Sequence, residues 1–338
     1  MIQENIFLGF TFVILAGVFA GAFALPMKYT TGWKWEHNWL AYTAWATIVM
    51  PLAVAFITVP GLMSIYQDSD PPIMLKAFLS GLAWGIGMVC FGLGLHYLGV
   101  ALGLSIMLGL VISLGALLPI IIFHPAELSS QKGQDIIRAS VVILAGIIVC
   151  AMAGSMRDRQ NKNASAAAGK NMSKFWTGLI IAMMAGLLSP IQNIGFVAAD
   201  PLKESAIAAG VNPLFTGNVV WPFIMIGCFI PNLAYCSYLI SKNREWRLFI
   251  SVKKWYWPAI ASTGIMWFLC MMFFGMAAAK LGKLGPSIGF AAFQTLAIVT
   301  GNVVGLMTGE WKGATRFTKA LNVSGILILV AGVIIISF

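Results

Sequence analysis

The sequence predicts an all-α integral membrane protein, with about ten transmembrane helices in two inverted five-helix repeats. Three observations predict it. Only 9% of the 338 residues are Asp, Glu, Lys or Arg, while 59% are hydrophobic; a soluble domain carries roughly a quarter charged residues. The apolar residues gather into about ten stretches, each near the roughly 20 residues that cross a bilayer core as a helix. The two halves of the chain also echo one another at a separation of 183 residues.

The stretches are 6–26, 38–59, 75–97, 100–123, 135–155, 174–199, 214–240, 257–279, 287–308 and 320–338. None of the eleven acidic residues falls in the middle of one. A charge at the bilayer centre costs at least ~2.5–3.5 kcal/mol on insertion scales, so charges collect where water is. The first stretch also has a signal-peptide reading, since Ala22-Phe23-Ala24 mimics a cleavage site. The residues before it hold Glu4 and no Lys or Arg, which is the wrong charge for such a peptide, so it is read as a span.

Orientation follows from the basic residues. The gaps after stretches 1, 3, 5, 7 and 9, taken with Lys174 at the very start of stretch 6, hold 15 of the 21 Lys and Arg, Lys28, Lys34 and Arg157 among them. The positive-inside rule puts those gaps in the cytoplasm and, with ten spans, both termini outside. The net charge of +10 is dispersed over short loops rather than gathered in a stripe, which argues against nucleic acid as partner. Cys90, Cys150, Cys228, Cys236 and Cys270 all lie inside spans, without disulfide or metal spacing, and read as small packing residues. No metal and no cofactor is expected.

The echo lies in spans 3–4 and 8–9. Gly81, Trp84, Met88, Phe91, Gly92, Leu98 and Gly99 match Gly264, Trp267, Met271, Phe274, Gly275, Leu281 and Gly282; after one deletion, Gly103, Ser105 and Ile106 match Gly285, Ser287 and Ile288. The first repeat is residues 1–155, the second 174–338, and 156–173, rich in Ala, Ser, Asn and Lys, is a cytoplasmic linker. Five spans per repeat is odd, so the second repeat enters the membrane from the opposite side. Inverted repeats of this kind belong to secondary transporters, with substrate held near the midplane. Paired carboxylates, a metal-ligand cluster or a nucleophile–base pair inside the spans would mark an enzyme, and the sequence carries none, so no catalytic residue is assigned.

Polar groups inside spans are the candidates for binding, because lipid offers them no partner. Pro190, Gln192 and Asn193 stand together in span 6; the amides either bind hydroxyls beside a proline break or join two helices. Asn218, Trp221, Met225 and Asn232 share a helical face in span 7, and Gln294 and Asn302 share one in span 9. Trp84 and Trp267 occupy equivalent repeat positions; their rings either face a sugar's apolar side or pack in the core. Lys28, just after Pro26, either faces a cavity or snorkels to the interface. Among titratable groups near span ends, Glu36 and His96 are set apart for coupling or gating.

Trp84-Gly85-Ile86-Gly87 and Tyr97-Leu98-Gly99 resemble the third span of the L-rhamnose–proton symporter family of the drug/metabolite transporter superfamily. Similar likenesses are Trp33-Lys34-Trp35-Glu36, Met266-Trp267, Glu204-Ser205-Ala206, Gly210-Val211-Asn212-Pro213-Leu214 and Gly309-Glu310-Trp311, in the right order along most of the chain. The resemblance implies ten helices in two inverted repeats and uptake of the 6-deoxyhexose L-rhamnose with protons, through a lipid-embedded, non-enzymatic carrier. Three positions depart from it: His96 where an arginine is expected, Asp200 where a lysine is, and Phe293-Gln294 in place of a histidine-containing stretch. The sugar is then expected to meet Trp84, Gln192, Asn193, Asn218, Trp267 and Gln294, with Lys28, Glu36 and His96 as coupling or gating groups. The alternatives are a related carrier of another sugar or small metabolite and a receptor that binds without flux.

Overall fold

The computed structural model describes residues 5–98, 100–160 and 172–337. Ten helices long and apolar enough to span a bilayer follow one another there. They are α1 (Ile6–Tyr29), α2 (Trp35–Thr58), α3 (Pro71–Leu98), α4 (Ile106–Phe123), α5 (Gln131–Arg157), α6 (Phe175–Ala208), α7 (Pro213–Asn243), α8 (Tyr256–Lys280), α9 (Gly285–Met307) and α10 (Arg316–Ile336). Each of the ten expected stretches is one of these helices. Residues 161–171 of the expected linker, and Gly99 of the echo, lie outside the described residues.

Prolines and caps account for most of the irregularities. The Asn5 side chain accepts from the Leu8 amide at 2.9 Å and starts α1. The α-helical part of α1 stops at Ala22, and Pro26 opens a 3₁₀ turn over Leu25–Tyr29. In α2 a π turn over Trp45–Val49 precedes Pro51, whose missing N–H and ring would otherwise meet the Thr47 carbonyl. The helix of α6 breaks after Leu188, resumes over Ile191–Ala198 and breaks again before Asp200–Ala208. Prolines 190 and 201 stand at the two breaks. At 34 residues α6 is longer than a bilayer needs, and its last segment, Asp200–Ala208, packs against the Pro213–Val219 start of α7. The start of α7 differs from expectation: Pro213–Val219 is a 3₁₀ turn, so Asn218 precedes the α-helix that carries Trp221, Met225 and Asn232.

Helix neighbours are few and specific: α3 lies on α6 and α7, α1 on α8 and α9, α5 on α10, and α4 on α9. Glycine sets the closest approaches. A Cβ on Gly81 would sit 1.9 Å from the Ile224 carbonyl oxygen of α7, and one on Gly264 would sit 2.4 Å from Trp45 Cβ of α2. Removing the side chain lets backbones meet where lipid supplies no hydrophobic drive between helices. Two more contacts form a pair: Gly9 of α1 faces the Leu281 side chain, and Gly178 of α6 faces that of Leu98.

Candidate functional site

A cavity of about 410 Å³ enters the bundle from the end that carries the basic loops. That volume is within the roughly 300–1,000 Å³ of small-molecule sites. Its floor is built by residues at the middle of their helices: Trp84 of α3, Trp267 of α8, Gln294 of α9 and Ser189 at the first break of α6. Phe23, Trp39, Met88, Phe91, Leu108, Val111 and Ile298 make the walls, and Asn302 adds an amide higher up. Arg157, Glu310 and Trp311 rim the mouth.

The two tryptophans lie with ring centroids 6.5 Å apart and planes 25° from parallel. They are the repeat-related pair of the sequence echo. Trp267 packs further against Phe23 at 4.7 Å, and its indole Nε1 is buried with no hydrogen-bond partner. A buried donor left unpaired costs about 1–3 kcal/mol, so this indole N–H has a hydrogen bond still to make. The Trp39 indole is by contrast spoken for, donating to Asn232 Oδ1 at 2.9 Å.

Charges at the mouth are paired across the chain. Lys28 Nζ binds Glu310 Oε1 and donates to Thr308 Oγ1 at 3.0 Å. Arg157 lies 3.5 Å from the other Glu310 oxygen, with its guanidinium 5.0 Å from the centre of the Trp311 ring. A wide apolar chamber with a few amides, indoles and one hydroxyl, under a charged rim, suits a neutral solute with polar edges and an apolar face.

Of the expected substrate residues, the structure brings Trp84, Trp267 and Gln294 together in this cavity. It does not bring the others there. Asn193 Nδ2 donates to the Gly115 carbonyl at 2.8 Å and the Pro286 carbonyl at 3.2 Å, joining α6 to α4 and α9. Asn218 Nδ2 donates to Thr58 Oγ1 at 2.9 Å, joining α7 to α2. Asn193 thus makes the helix-joining contact of its second reading, and Asn218 is held in the same way, its donor claimed by a nearer protein acceptor. Gln192, 2% exposed, sits just past the α6 break outside the cavity wall, its Oε1 unpartnered.

Among the coupling candidates, Lys28 reaches the mouth through Glu310. Glu36 is buried and accepts from Asn243 Nδ2 at 3.3 Å, tying the start of α2 to the end of α7, away from the cavity. His96 is exposed, with its ring 5.5 Å from that of Tyr97. Ser189, Arg157 and Glu310 were missed as site residues. Loop charges gave no sign of pairing, because Lys28 and Glu310 stand 282 residues apart. Ser189 carried one usable signal, its place directly before Pro190 inside a span.

A model of the L-rhamnose-proton symport protein family matches residues 2–338. The chain belongs to that family. Among its relatives are the L-rhamnose-proton symporter of Yersinia pestis (strain Pestoides F), 28% identical over 97% of this chain and 96% of that one, and that of Shigella dysenteriae serotype 1 (strain Sd197), 28% identical over 98% of each. The family is one of transporters, not enzymes, and ten apolar helices make this member a multi-pass membrane protein.

Proposed function

We propose that this chain imports L-rhamnose with protons across the cell inner membrane by alternating access. The observation that carries the reading is the midplane floor of the cavity, where Trp84 and Trp267 lie beside Gln294 and Trp267 Nε1 lacks an acceptor. A 6-deoxyhexose offers ring hydroxyls to Gln294, Ser189 and the indole, and its ring and methyl faces to the aromatic and aliphatic walls. The family description and the printed names of the relatives give the sugar and the ion.

The inverted repeat, 1–155 against 174–338 with 156–173 as linker, is part of the proposal. It is supported by neighbours that exchange when the halves are exchanged: α3 on α6 as α8 on α1, and α3 on α7 as α8 on α2. Echo-related Gly81 and Gly264 sit at the second of these contacts, echo-related Leu98 and Leu281 at the first. Trp84 and Trp267, close enough for their rings to stack, would then flank the axis relating the halves. With basic loops cytoplasmic and termini periplasmic, the cavity faces inward.

The test is sugar-driven proton movement. L-rhamnose added to energy-depleted cells expressing the chain is expected to alkalinise a weakly buffered medium in step with labelled sugar uptake. Uptake without alkalinisation would overturn proton coupling, and no rhamnose uptake, with another sugar or metabolite taken up instead, would overturn the substrate.

A further inference from the structure

A second cavity of about 370 Å³ opens at the other end of the bundle. It is walled by the last segment of α6, the start of α7, the end of α8 and the start of α9, with His124, Asp200, Lys203, Glu204 and Lys283 among its lining. Under the exchange of halves these walls correspond to the end of α1, the start of α2, the end of α3 and the start of α4. Those elements supply Phe23, Trp39, Phe91 and Leu108 to the first cavity. The two chambers therefore stand in repeat-related places on opposite faces.

A block of rings separates them. Phe196, Trp221, Phe274, Phe290 and Phe293 are each at most 1% exposed. Phe196 lies 4.6 Å from Trp221, and Phe274 lies 5.5 Å from Phe196, 5.9 Å from Phe290 and 5.1 Å from Phe293. Phe274 is the echo partner of Phe91. Phe91 lines the open cavity, whereas Phe274 is the centre of the block. One repeat position thus takes two environments in one structure, as expected when one entrance is open and its counterpart shut.

The charges follow the same scheme. Pro26-Met27-Lys28 closes α1, and Pro201-Leu202-Lys203 opens the last segment of α6, Asp200–Ala208. Lys28 is bound to Glu310 at the open mouth. Lys203 Nζ lies 4.0 Å from the centre of the Phe196 ring and 2.5 Å from Asp200 Oδ1, over the ring block on the shut side. A cation held on an aromatic face and by a carboxylate fixes that ring in place.

We propose that Phe274 and Lys203 are the gate residues of the shut side, and that the second cavity is the other entrance for the same neutral sugar. Phe274 fills the passage and Lys203 acts as a positioning residue, holding Phe196 against it. This rests on the alternating-access reading above, but its test needs no substrate.

The reporter is Ala297→Cys in the wall of the first cavity, treated with a membrane-impermeant maleimide from either face of the membrane, with the parent chain as background. The Ala297→Cys chain is expected to react from the face of the basic loops and hardly at all from the other. Adding Phe274→Ala or Lys203→Met should raise the rate from the far face by about tenfold or more, as a desolvated cation–π contact can bias a two-state balance by that factor. Lys203→Arg should restore the block. Phe91→Ala, at the echo position on the open side, should leave far-face reaction unchanged. Continued reaction from the basic face shows that each variant is folded. A far-face rate unmoved by both Phe274→Ala and Lys203→Met, or raised equally by Phe91→Ala, would overturn the proposal. A chain that fails to carry rhamnose yet shows this pattern would keep the gate and lose only the substrate.

Discussion

Gln294 and Asn218 are both amides inside spans, and their surroundings give them different work. Gln294 lines the cavity and makes no hydrogen bond to protein among the described residues. Asn218 is 2% exposed and its donor is spent on Thr58. Gln294→Ala is therefore expected to raise the half-saturation concentration for sugar by about fivefold, the equivalent of one net hydrogen bond of about 1 kcal/mol, without loss of thermal stability in detergent. Asn218→Ala should do the reverse, losing about 1–3 kcal/mol of stability while half-saturation stays within about twofold. Measuring uptake and thermal unfolding on both variants separates binding from bracing. If Asn218→Ala raised half-saturation at unchanged stability, the assignment of Asn218 to a helix contact would be wrong. The types of residue that bind were legible in the sequence, because polar atoms are rare in spans and stand out. Which of them bind was not. A side chain's choice between a ligand and a carbonyl such as that of Gly115 depends on a neighbour 78 residues away.

At the scale of elements the sequence was most informative, since lipid imposes one demand on every span: about 20 residues without uncompensated charge. All ten helices answer to it. What escaped were departures from regular helix that depend on local geometry, such as the π turn ahead of Pro51 and the 3₁₀ start that takes Asn218 off the helical face. The echo glycines were legible as small residues but not as contacts. The structure turns them into a prediction. Gly81→Ala would drive a methyl into the Ile224 carbonyl, and Gly264→Ala would drive one into Trp45. Neither obstacle is a flexible side-chain end, so α3 must back away from α7, or α8 from α2. Overpacking of this kind costs typically 1–3 kcal/mol. Gly154 of α5 has nothing within 4 Å of such a methyl, so Gly154→Ala is the control and should be neutral or slightly stabilising. Thermal unfolding of the three variants in detergent checks this. Equal midpoints for Gly81→Ala, Gly264→Ala and Gly154→Ala would show that the helices slide apart freely at these crossings.

For the molecule as a whole, the decisive quantity is which way the open cavity points. The structure fixes the cavity relative to the loops: it opens beside Arg157 and Glu310, the end where α1, α3, α5, α7 and α9 finish and where most Lys and Arg lie. Under the orientation proposed above from the positive-inside rule, that end is cytoplasmic and the open chamber inward-facing. A carrier caught inward-open has its shut gate toward the medium, so sugar in the medium must first meet the Lys203 side. Two exposed serines read the orientation directly: Ser251 lies between α7 and α8 on the basic end, and Ser129 between α4 and α5 on the other. An impermeant thiol reagent applied to intact cells should label Ser129→Cys and leave Ser251→Cys untouched until the membrane is opened. The opposite pattern would turn the whole molecule over. The cavity would then be outward-open, and the ring block around Phe274 would become the cytoplasmic barrier. The Phe274→Ala experiment would still report a gate, but from the other side of the membrane.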